Sequence, residues 1–289
     1  MQHHRSPSRR RVGAAAALSA AIVLAATACA ATGATAASLT TDNHIHKLIP
    51  SEDGLSLLVG THNGLFTVEL GSGDVVGPMG EHVIDLMGLT RANGELLASG
   101  HPGASGPQHL QGPNLGLIRS SDEGERWEAV ALEGVADFHA LTYDRFAGAV
   151  VGAHAGQILI SDDMGVSWRE GAAEEPYDLL ATSDGLLMTS IAGLGVSTDM
   201  GQSFQPVEGA PPLVLLADSE DTVIGVDLAG TLWRSGPAQR WTAEGTTPEQ
   251  IHALTLLPDG EVIVATESGL QRTGDLGQTW QSLIPRAGS

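Results

Sequence analysis

Ser120-Ser-Asp122-Glu-Gly124-Glu-Arg-Trp127, Ser161-Asp-Asp163-Met-Gly165-Val-Ser-Trp168, Ser197-Thr-Asp199-Met-Gly201-Gln-Ser-Phe204 and Thr273-Gly-Asp275-Leu-Gly277-Gln-Thr-Trp280 are four copies of one phrase, Ser/Thr-x-Asp-x-Gly-x-x-aromatic. Each position has a local physical reason. The hydroxyl and the Asp carboxylate accept N–H groups of a turn, Gly supplies positive φ, and the aromatic anchors the strand that follows. The phrase reads as the clasp of a β-hairpin. Its Asp residues, at 122, 163, 199 and 275, lie 41, 36 and 76 residues apart, and 76 is twice 38. A period near 40 is the mark of a propeller or a solenoid.

Outward from the clasps, six segments share one order: apolar strand, short turn, second apolar strand, Gly turn, third strand, clasp, fourth strand. They begin at His44, His82, Ala136, Tyr177, Leu213 and Ile251. The second strands are clearest, as in Leu57-Leu58-Val59, Leu96-Leu97-Ala98 and Val262-Ile263-Val264, which are β-rich runs bounded by Gly and Asp. Four short strands per unit of roughly 40 residues predict an all-β fold, a six-bladed β-propeller with four-stranded blades. Blades one and five lack a good clasp, as repeat arrays tolerate.

The phrase resembles the Asp-box, or BNR repeat, of sialidases, sortilin-like receptors and photosystem assembly factors. His44-Ile-His46 and Gly60-Thr-His62-Asn-Gly64-Leu-Phe are also similar to secreted bacterial BNR proteins often labelled glycosyl hydrolases. The resemblance implies the propeller fold strongly and an activity weakly, because one fold hosts many functions.

The chain opens with Arg5, Arg9, Arg10 and Arg11, followed by an Ala-rich apolar run to Cys29, the sole cysteine. This predicts an export signal over 1–28, too short and small-residued for a membrane span. Ala26-Thr27-Ala28-Cys29 resembles a bacterial lipobox, which implies cleavage before Cys29, lipidation of it and anchoring at the outer face of the membrane. Ordinary signal cleavage and secretion is the alternative. Residues 29–43 read as a tether and 44–289 as the propeller. Without the signal the chain carries ten basic against 34 acidic residues, about −24, which excludes a nucleic-acid partner. A monomer with an unidentified protein or glycan ligand is expected.

Aligned on the repeat, the second positions of the first strands are His46, Asp85, His139, Asp178, Val214 and His252. The ends of the second strands are His62, His101, His154, Ile191, Leu228 and Glu267. Antiparallel connection brings both rows to one mouth of the central channel and sends the clasps to the other. His46, His139 and His252, with His62, His101 and His154, therefore form a candidate set for Cu²⁺ or Zn²⁺, with Asp85, Asp178 and Glu267 completing or orienting it. The competing reading is that these residues hydrogen-bond blade to blade around a wet channel. An insertion over 102–114, carrying His109, is expected to hang over the same mouth.

The sialidase resemblance implies three arginines on the substrate, a Tyr nucleophile and an Asp acid. Arg119, Arg234 and Arg272 instead recur at the end of the third strand, on the clasp side, and only Tyr143 and Tyr177 are present. A glycoside hydrolase could still draw a carboxyl pair from Asp85, Asp178, Asp227 and Glu267.

Overall fold

The computed structural model describes residues 1–3, 39, 43–51, 53–219, 222–236 and 240–285. Most of the export signal, Cys29 and most of the tether lie outside the described residues. The strands form six antiparallel four-stranded sheets, each built from four consecutive strands. This is the expected six-bladed propeller. The first strands, Ile45–Pro50, Val83–Ala92, Leu141–Asp144, Asp178–Thr182, Leu213–Ser219 and Ile251–Leu256, line the centre. Each touches the next, and the sixth returns to the first.

Among the described residues no strand is shared between first and last blades, and the two meet by packing. Ile45, Leu57, Val59, Phe66 and Val68 of blade one share a buried cluster with Ala253, Ile263, Ala265, Leu270 and Ile284 of blade six. Leu39 is buried in that cluster as well. Packing thus reaches back into the stretch read as a tether, since Leu39 is an apolar side chain that the seam can bury.

The clasps do two jobs. Within each, the hydroxyl donates to the Asp carboxylate and accepts the glycine N–H, while the carboxylate accepts the N–H four residues on. In blade three these contacts are Ser161 Oγ to Asp163 Oδ1 at 2.8 Å, Gly165 N to Ser161 Oγ at 2.7 Å and Ser167 N to Asp163 Oδ1 at 2.8 Å. The same set recurs around Asp122, Asp199 and Asp275. The hydrogen bonds hold the carboxyls of Asp163, Asp199 and Asp275 down to about 2. Between blades, Gly124, Gly165, Gly201 and Gly277 lie against Leu65, Leu117, Ile158 and Leu232, all on the third strand of the preceding blade. A clasp therefore locks its blade to a neighbour.

Candidate functional site at the channel mouth

The histidines are positioned by a repeated irregularity. In blades one, five and six the pairing of first and second strands slips by one residue, at His46, Val214 and His252 respectively. A bulge leaves its extra residue unpaired and re-aims the side chain. Blade two slips by one residue as well, at Met87, so two of these four bulge residues are histidines of the predicted set.

The structure divides that set into two adjoining groups. In the first, His44, His46, His62 and His252 crowd together, with ring centroids 4.5 Å apart for His46 and His62 and 4.6 Å for His44 and His252. His62 Nδ1 donates to Asp85 Oδ1 at 2.7 Å, and His46 Nε2 lies 3.9 Å from the same oxygen. His46 Nε2 is buried and has no hydrogen-bond partner. Burial, then the nearby His62, His44, His139 and His252 rings, hold its pKa down to about 3, so the imidazole is neutral. His46, His62 and Asp85 each offer one ligand atom, all within 4.8 Å of one another. His252 Nε2 is engaged with Glu267 at 2.9 Å, which makes Glu267 its orienting partner.

The second group is centred on Asp137, which the sequence alignment passed over. Its Oδ2 lies 2.9 Å from His139 Nε2 and 3.4 Å from His101 Nε2. Its backbone N–H donates to His154 Nδ1 at 3.3 Å. The hydrogen bond to Asp137 raises the His139 pKa against the opposing effect of burial. Burial pushes the Asp137 carboxyl up, but the hydrogen bond from His139 and the nearby histidines bring it below its ordinary value. A signal for Asp137 existed: it stands two residues before His139 as His44 stands before His46, and alternate residues share a face. The groups adjoin through blade two, where Asp85 and His101 are cross-strand partners.

Other expected residues are placed elsewhere or already engaged. Asp178 is buried inside the channel, where Oδ1 accepts Lys47 Nζ at 2.9 Å and Oδ2 accepts Leu216 N at 3.0 Å. Asp227 holds the Trp233 indole and two backbone N–H groups. The insertion folds inward at its middle, while its end returns to the mouth, where the Pro113 carbonyl lies 2.9 Å from His101 Nδ1. Leu110 and Leu115 are buried with Trp127 in the core shared by blades one and two, and His109 Nε2 reaches the Trp127 carbonyl at 2.8 Å. Apolar side chains at 110 and 115 give the loop something to bury, so it folds inward. Arg119, Arg234 and Arg272 pair with Glu128, Glu244 and Glu261 and serve their blades. Below the mouth the first strands enclose a channel cavity of about 280 Å³ reaching Arg145 and Asp218.

Fold and mouth together define a β-propeller whose channel entrance is lined by imidazoles and carboxylates. Solved structures of the same fold include one titled as YCF48 bound to D1 peptide, 16% identical over 85% of this chain and 84% of that chain, with a TM-score of 0.54. A streptogramin B lyase is 16% identical over 88% and 87%, with a TM-score of 0.56, and a gluconolactonase-like protein is 14% identical over 83% and 92%, with a TM-score of 0.61. At such identity the likeness is one of fold. No family model and no curated protein matches the chain.

Proposed function

We propose that this chain is an Asp-box propeller acting as an extracytoplasmic binding module, in which a divalent ion held by His46, His62 and Asp85 marks the ligand site. The observation that carries the ion is the buried, unpartnered Nε2 of a neutral His46 facing Asp85. A buried polar atom without a partner costs about 1–3 kcal/mol, and a cation between that nitrogen and the carboxylate removes the cost. Imidazole and carboxylate donors suit Zn²⁺ or Cu²⁺, and Glu267 orients His252 beside them. The repeated clasp bonding supports the Asp-box kinship. The propeller described with a bound peptide supports a protein or peptide ligand.

Chelator-stripped full chain titrated with Zn²⁺ in a calorimeter is expected to take up the ion, and His62→Gln to weaken uptake about 10- to 100-fold. Uptake unchanged by both His46→Gln and His62→Gln would sink this assignment. Lipidation at Cys29 gives the module its place at the outer face of the membrane. Cys29→Ser is expected to move the chain from the membrane fraction to the medium, and no shift would refute the anchor.

A further inference from the structure

The mouth changes character around the ring. The two-residue turn between second and third strands carries His62 in blade one and Glu267 in blade six, closed by the pairs Thr61 with Gly64 and Thr266 with Gly269. Blade four builds the same turn between Ser190 and Gly193, with Ile191 in the first position, so the turn itself does not demand an apolar residue. Ile191 is 93% exposed and Leu228, at the matching turn of blade five, 87%, more than any other large apolar side chain of the described propeller residues. Half-exposed Tyr177 joins them, because its N–H donates to the Thr189 carbonyl at 2.8 Å, two residues before Ile191. Thr189 Oγ1 donates to the Val214 carbonyl of blade five at 3.0 Å, and Leu213, next to Val214, pairs with Asp227, next to Leu228. Single apolar side chains are ordinary on a surface, but three gathered on adjoining blades beside a polar rim mark a contact surface.

The charge beside this crescent selects its occupant. Pro176, which precedes Tyr177, lines a cavity of about 310 Å³ together with Asp137, Glu175, His139 and His154, and no Lys or Arg lines it. Asp137 Oδ2 is met by His139, whereas Oδ1 has no hydrogen-bond partner among the described residues. Lys47, the sole lysine of the chain, is committed to Asp178. The chain carries a formal net charge of −20, so a second copy or an anionic lipid surface meets repulsion here while a cation is drawn in. Ala140, Ala153 and Ala155 on the cavity wall leave room for an alkyl stem.

We infer that the apolar crescent of blades four and five, with the acidic cavity beside it, seats a segment of a partner protein that carries apolar residues close to a Lys or Arg. The apolar residues cover Ile191, Leu228 and Tyr177. The basic side chain lays its stem along the alanines and turns its charged head toward Asp137 and Glu175. This rests on the reading of the chain as a module for a protein ligand and names that ligand's chemistry, but it uses none of the ion's ligands.

Fluorescein-labelled peptides in which one Arg is separated from a Leu-Leu pair by no, two or four glycines test the surface by fluorescence polarisation at pH 8, against the chelator-stripped full chain. At least one spacing is expected to bind, and Ile191→Ser with Leu228→Ser to weaken it about tenfold or more. Both positions are exposed, so the double variant challenges folding little. Glu175→Gln should weaken binding about two- to fivefold. Binding by none of the peptides, or binding that the double variant leaves unchanged, overturns the surface. Peptides with Glu for Arg bound as tightly overturn the basic occupant. Peptides with Ser for Leu bound as tightly, and displaced by spermidine, assign the cavity to a free polyamine and overturn the protein segment. A dimer in sedimentation that Leu228→Ser dissolves gives the crescent to a second copy instead. Zn²⁺ uptake without peptide binding sinks this surface and leaves the ion standing, and peptide binding without Zn²⁺ uptake does the reverse.

Discussion

Gly165 shows how much of the ring rests on a single hydrogen atom. Its φ of +90° is a conformation that L side chains seldom adopt, and a Cβ built there would stand 2.0 Å from Leu117 Cδ2. Leu117 is fully buried between blades two and three, so it cannot swing away. Gly201 has nearly the same φ, +86°, but its Cβ would meet Ile158 at 3.2 Å. Backbone strain is therefore common to both sites and overlap is large at one. Gly165→Ala is expected to destabilise by about 3 kcal/mol, adding overpacking to left-handed strain. Gly201→Ala should cost about 1 kcal/mol, mostly strain. Urea unfolding of the two variants checks the order, and equal losses would mean that the clasp glycine matters only as a turn residue.

At the scale of the element, the strand pattern was readable because period and clasp agree. Each blade repeats the same alternation, and in four of the six the clasp marks the same end. What the alignment could not supply was the bulge. A slip of one residue at His46 and His252 re-aims those side chains, and it is set by pairing geometry rather than by residue type. The row of histidines was therefore found, but its division into two groups was not. Asp137 escaped because the alignment compared only one position of each first strand and the end of each second strand, and Asp137 stands in neither row. The insertion was legible only in part: its end does reach the mouth at His101, but its middle turns inward. Length and Gly/Pro content announce a loop, whereas Leu110 and Leu115 decide where it goes, and both are buried. Asp178 fits its row in sequence, yet it lies inside the channel because Lys47, next to His46, reaches across to it.

That reach belongs to the whole molecule. Lys47 sits on blade one and Asp178 on blade four, opposite positions in a six-membered ring, and the carboxylate also holds the Leu216 N–H of blade five. One side chain thus ties three blades across the central axis. Removing it strands an ammonium in the channel and leaves a buried amide unpaired. Asp178→Ala is expected to cost about 3–5 kcal/mol, the scale for breaking a buried ion pair from one side. The double variant Lys47→Met with Asp178→Leu should recover much of that loss, since no charge is left without a counter-charge. Thermal and urea unfolding of the two singles and the double give the coupling energy directly. The same variants separate tie from catalyst: a carboxyl used for glycoside hydrolysis would leave stability nearly unchanged on substitution, whereas the tie predicts a large loss that its partner's removal repairs.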